Sequence, residues 1–200
     1  KEMDFTKAKE YITQRLVNDL SSDLHYHGAH HTFAVVKAAA QLAAYEGVSK
    51  HEYNLLLTAA YFHDSGFLFE YKSNEPFATQ LTKEVLPQFD YSEQEIHEVN
   101  KIILATQSHI SPETLLEKIM CDADHDYIGT DEYHTIAGTL RKELATQGVT
   151  YDDLEWIKVQ HTYLTTQHKY YTETANRIRL PKKEEIIEQL YLKITEAAVS

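Results

Sequence analysis

Four of the chain's twelve histidines fall within seven residues, His25-Tyr26-His27-Gly28-Ala29-His30-His31. Further along, His63 and Asp64 stand side by side, and Asp122, Asp124 and Asp126 alternate in Cys-Asp-Ala-Asp-His-Asp-Tyr. Imidazole is both a metal ligand and a general acid or base near neutral pH. Carboxylates add the negative charge that a hard or borderline cation needs. The three stretches together raise metal binding and proton transfer as the chemistry to test.

These residues can act together only if the elements that carry them turn them inward. On a helix a residue shares a face with those three and four positions away. His31 lines up with Ala34, Val35, Ala38 and Leu42, whereas His30 lines up with Ala34, Lys37 and Gln41, so His31 is expected inside and His30 in water. His63 follows Leu56, Ala59 and Ala60, and Asp64 follows Leu57, Ala60 and Tyr61, at the buried end of an apolar helix. Asp124 shares a face with Leu116, Met120, Tyr127 and Ile128, while Asp122 and Asp126 are expected to lean toward solvent. Taken singly, such a histidine is more often a hydrogen-bonded core residue and such an aspartate a helix terminator. Jointly, His31, His63, Asp64 and Asp124 offer two imidazoles and two carboxylates, a reasonable set for Mn, Fe, Zn, Co or Mg. Two ionised aspartates balance one divalent cation, and without it their burial is costly.

Almost every segment has helical periodicity. Helices are expected near 4–20, 29–46, from 50 to the His63-Asp64 pair, 75–86, 91–107, 131–147, 151–169 and 182–197. A further one is expected after Ser111 as N-cap and Pro112 at the first helical position. Ser49 with Glu52 and Ser92 with Glu95 have capping-box spacing. The only sharp break lies around Pro181. Strand signals are weak throughout. The expected fold is therefore all-α, one domain over residues 1–200, with a motif-bearing core at about 20–130 and helices in 131–200 completing the bundle.

The 200 residues are 42% hydrophobic and 25% charged, a globular composition. A net charge of −12 argues against a nucleic-acid surface, which needs clustered Lys and Arg. No apolar run approaches a membrane span. Nothing points to export, and one cysteine forms no internal disulfide, so a cytoplasmic location is expected. There is no CxxC pair, P-loop, GxGxxG or GxSxG motif.

The segments YHGAHHTFAVV, AAYFHDSGF and IMCDADHDYIG, in that order, resemble the motifs of the HD-domain superfamily of metal-dependent phosphohydrolases. The resemblance implies that His31, His63, Asp64 and Asp124 are the metal ligands. Tyr26-His27 and His31 are also similar to the YHNxxH element of cyclic-nucleotide phosphodiesterases, with Gly28 in place of Asn. That similarity makes His27 the proton donor and a non-ligand. Many relatives carry further histidines after the His-Asp pair that help hold a second metal; here Asn74-Glu75 stands where a His-Glu is common. One tightly held divalent ion is expected, with a second left open.

The implied activity is hydrolysis of a small phosphate ester, a nucleotide or related phosphomonoester, by attack of a metal-bound hydroxide. Asp64 or Asp124 would orient the water. Lys72, Asn74 and His109 are the candidate substrate contacts. Cyclic-nucleotide phosphodiesterase activity, or a non-catalytic, metal-stabilised regulatory or ligand-binding protein, stands as the alternative. The expected partner is a small-molecule phosphate ester, with no nucleic acid and no membrane; association into a homo-oligomer is left open.

Overall fold

A computed structural model describes residues 1–200. It consists of nine α-helices and no strand. They are α1 (Phe5–Asp19), α2 (Ala29–Glu46), α3 (Lys50–Phe62), α4 (Glu75–Val85), α5 (Glu93–Leu104), α6 (Leu115–Asp124), α7 (Tyr133–Thr146), α8 (Asp153–Thr166) and α9 (Glu173–Val199). Short 3-10 turns follow α3, α4 and α6 at Ser65–Leu68, Leu86–Phe89 and Asp126–Gly129. None of the helices is long and apolar enough to cross a membrane. The chain divides into two compact units, Lys1–His125 and Asp126–Ser200.

In the first unit α3 is the central element. Its last eight residues, Leu55 to Phe62, are all buried, as an element apolar on every side must be. α1, α2, α5 and α6 pack around it. The chain stops and starts where its local chemistry allows. Gly47 ends α2 with φ 68°, a left-handed value that a side chain would resist. Ser49 and Glu52 close a capping box on α3, and Ser92 and Glu95 close one on α5.

Two expected boundaries are corrected. α6 begins at Leu115 with Thr114 as N-cap, not after Ser111. The reason is Glu117, which bonds back to Thr114 and completes a capping box that Ser111 has no acidic residue to form. Pro181 does not break the chain either; it lies inside α9, a continuous helix of 27 residues. A proline there forfeits one backbone bond and costs roughly 3 kcal/mol. Thr174 and Ala175 are buried before it, and Ile186 and Leu190 after it join the second unit's core, so the helix is packed on both sides of the proline.

That core gathers Ile128, Tyr133, Ala137, Trp156, Leu164, Ile186 and Leu190. At its edge Arg179 donates to both oxygens of Asp126, at 2.8 and 3.3 Å. Gly129 lies directly on the backbone of Arg179, where a Cβ would stand 2.3 Å from the carbonyl oxygen. The hydroxyl of Tyr170 accepts the Gly129 N–H at 3.1 Å.

Candidate metal centre

Each of the four inward residues sits at a helix end. His31 lies in the first turn of α2, where its N–H bonds to the Gly28 carbonyl at 3.1 Å. His63 caps the C-terminus of α3, and Asp64 leads into the 3-10 turn Ser65–Leu68. Asp124 is the last residue of α6. Because α2, α3 and α6 all pack on one another, these ends converge. The apolar stripe of α2, with Val35, Ala38 and Leu42 buried, turns His31 inward and leaves His30 exposed.

The ligating atoms of His31, His63, Asp64 and Asp124 all lie within 4.8 Å of one another. They alternate around a ring. His31 Nε2 is 3.1 Å from Asp124 Oδ1 and 3.2 Å from Asp64 Oδ2. His63 Nε2 is 3.0 Å from Asp64 Oδ2 and 3.2 Å from Asp124 Oδ1. On an ion with bonds of ~2.1 Å, ligands at right angles stand ~3.0 Å apart. The donor set fits a single divalent cation in spacing, in charge and in the mixture of nitrogen and oxygen. His63 is further prepared by its other nitrogen, since Nδ1–H donates to the Ala60 carbonyl at 2.7 Å. In the neutral ring that bond leaves the lone pair on Nε2, facing the carboxylates.

Without a cation the ring is held by protons. Burial opposes a charge on His31, but hydrogen bonds to Asp124 and Asp64 and the charges of both overcome it and push its pKa up to about 9. For His63 burial is likewise outweighed, first by the charge of Asp64 and then by hydrogen bonds to Asp124 and Asp64, so it too is raised. Burial alone would raise both carboxyls. Asp64 is nonetheless lowered, by the charge of His63 and then by hydrogen bonds from His31 and His63. Asp124 is lowered well below the ordinary value, by hydrogen bonds from His31 and His63 and then by the charges of His125 and His63.

His27 lies beside this ring and is not a member of it. Its imidazole is half-buried, stacked on Phe67 with centroids 4.2 Å apart, and 5.7 Å from the His31 ring at nearly a right angle. Gly28 reflects a local constraint. A Cβ there would stand 2.8 Å from His30 Nδ1 and 2.9 Å from the Leu24 carbonyl, so the His30 ring covers the space an asparagine would need.

The three candidate substrate contacts are placed differently from one another. Asn74 is buried at the start of α4, and its Nδ2 has no hydrogen-bond partner. Lys72 is exposed in the segment before α4, and His109 is exposed between α5 and α6; neither belongs to the clustered ring. Asp122 is not turned to solvent as its phase suggested but is 1% exposed. α6 packs against α2, α3 and α5, so more than one of its faces is covered. His161 stands in the second unit against the ring of Tyr191.

Three neighbours escape a reading based on phase. Tyr26 is buried with its ring 4.6 Å from His27 and 4.8 Å from His31. Phe67 covers one face of His27. His125, next to Asp124, is depressed below the ordinary histidine value by burial, despite the attraction of Asp124. The usable signal was adjacency, because Tyr26 and Phe67 each flank a motif that carries the chemistry.

The family model for the HD domain matches residues 28–127, a span that holds all four ring residues and begins one residue after His27. The chain belongs to the HD domain family. Three solved structures share the fold. One is a predicted HD superfamily hydrolase from an uncultured Thermotogales bacterium, with TM-score 0.62 and 20% identity, covering 96% of this chain and 91% of its own. The Lin1889 protein of Listeria innocua aligns with TM-score 0.66 and 20% identity over 98% of this chain and 96% of its own. A Lactobacillus plantarum protein aligns with TM-score 0.70 and 18% identity over 100% of this chain and 99% of its own. No curated protein matches the chain.

Proposed function

We propose that the protein is a metal-dependent hydrolase of small phosphate esters, with a nucleotide or related phosphomonoester as substrate. The observation that carries this reading is the closed ring of two imidazoles and two carboxylates with His27 beside it. A divalent ion held by His31, His63, Asp64 and Asp124 would lower the pKa of bound water toward neutrality and withdraw charge from a phosphoryl oxygen. The residues supply the rest. His31 and His63 present Nε2, and the Ala60 carbonyl fixes His63 in that orientation. Asp64 and Asp124 balance the cation's charge, and one of them orients the attacking water. His27 delivers a proton to the departing oxygen as general acid. The family and the similarity to a predicted hydrolase support hydrolysis; the phosphate ester is what the resemblance to metal-dependent phosphohydrolases implies.

The test is a metal-supplemented screen of phosphomonoesters, nucleoside phosphates and cyclic nucleotides, alongside elemental analysis of the purified protein. Asp64→Ala is expected to lose bound metal and turnover together. His27→Ala is expected to keep the metal and lose ~10²–10⁴-fold in rate, most on poor leaving groups. Protein that neither carries nor takes up Mn, Fe, Zn, Co or Mg refutes the reading. So does turnover unchanged in Asp64→Ala.

A further inference from the structure

We propose that Phe67 is a positioning residue for His27, holding its imidazole at one angle to the metal centre. The inference rests on the reading of His27 as general acid, and concerns a side chain that is not one of the four ring residues.

The rings of Phe67 and His27 are stacked, with centroids 4.2 Å apart and planes inclined by 22°. Tyr26 meets His27 edge-on at 4.6 Å and 78°, and His31 meets it at 5.7 Å and 79°. His27 is thus flanked by one stacked ring and two rings set nearly perpendicular to it. Each rotamer of a histidine aims its ring differently, and a ring stacked on one face disfavours the rotamers that break the stack. Proton delivery needs one of them, because small misplacements of a catalytic group are costly in rate.

The backbone ties Phe67 to the ligands. The Phe67 N–H donates to the carbonyl of Asp64 at 3.1 Å, within the turn that follows the His-Asp pair. Ser65 Oγ donates to the Phe62 carbonyl at 2.7 Å, and Gly66 is pressed against the backbone of Asn74, where a Cβ would lie 1.8 Å from the carbonyl oxygen. That turn has little freedom. It delivers the Asp64 carboxylate to the ring and the Phe67 phenyl to His27 as one rigid piece. His27 is joined to the other side of the centre, four residues before His31. The stack therefore aligns the acid on one chain segment with a ligand on another.

The experiment uses Phe67→Leu and Phe67→Tyr, alone and with His27→Ala, in the full chain. NMR of histidine-labelled protein reads the His27 ring protons directly, without turnover. Phe67→Leu is expected to weaken their nuclear Overhauser contacts with the Tyr26 and His31 rings as His27 turns away, whereas Phe67→Tyr keeps those contacts. Metal content stays unchanged in both. Hydrolysis of an aryl phosphate series is then compared. Phe67→Leu is expected to lose about tenfold more rate on phenyl phosphate than on p-nitrophenyl phosphate, Phe67→Tyr to retain wild-type rates, and Phe67→Leu to add no loss to His27→Ala. Unchanged His27 contacts in Phe67→Leu overturn the proposal, as does an equal loss with and without His27. If His27→Ala shows no leaving-group dependence, or no ester is cleaved, the proposed function fails, and the NMR arm still decides whether Phe67 sets the ring.

Discussion

At the scale of single residues the centre is a contest between protons and a cation for the same four atoms. In the metal-free protein His31 has a pKa near 9, above its ordinary 6.5. A raised folded-state value means that the histidine's contribution to stability is complete below pH ~6.5 and is lost as pH climbs through ~9. The lowered carboxyls act in the opposite sense: their contribution is present above the ordinary 3.8 and declines as pH falls toward their folded values. Chelator-treated protein should therefore be most resistant to urea between about pH 4 and 6.5 and weaken toward pH 9. A saturating divalent ion should abolish the alkaline decline. Denaturation midpoints across this range check both statements. Helical phase separated His31 from His30 because the buried residues of α2, among them His31, Val35, Ala38 and Leu42, keep to one stripe. It misjudged Asp122 because α6 is enclosed by three helices, and counting residues on one stripe cannot register neighbours on the others.

Among the elements, the turn after α3 sets the most demanding tolerance. Gly66 is required there by proximity and not by an unusual φ, since any Cβ would overlap the Asn74 carbonyl. Gly66→Ala is expected to cost ~1–3 kcal/mol or more in stability, the range for overpacking. It should also weaken metal affinity, because Asp64 sits one residue before the turn. Equilibrium denaturation and a metal titration on the same variant read the two effects. Most helices were legible because polar capping residues and apolar stripes agree with each other, as at Ser49 and Ser92. The start of α6 and the passage of α9 through Pro181 were not. In both, a local signal was overruled, by Glu117 in the first case and by packing on either side of the proline in the second. The Asp126–Arg179 pair joins residues from widely separated stretches, which no local pattern announces.

For the molecule as a whole, the ring ties together residues 31, 63, 64 and 124, all within the first compact unit. The unfolded chain has no such arrangement, so a bound ion stabilises the folded state by mass action. At a free concentration a hundredfold above its dissociation constant the gain is ~2.7 kcal/mol. The melting temperature should rise with added metal, fall with chelator, and respond to neither in Asp64→Ala. Calorimetry at two metal concentrations measures it. The centre was legible at this scale because burying two aspartates demands compensation, whichever path the chain takes between them. The first compact unit ends at His125, inside the acidic stretch Asp122-Ala123-Asp124-His125-Asp126, four residues before Gly129 and close to the expected step at about 130.

The anchor of His63 has a consequence for how the centre can change over generations. Its partner is the main-chain oxygen at position 60, not a side chain. No replacement of a neighbouring residue's side chain deletes that acceptor, so the orientation of this ligand is shielded from most point substitutions. His63 is inherited together with the helix that ends on it.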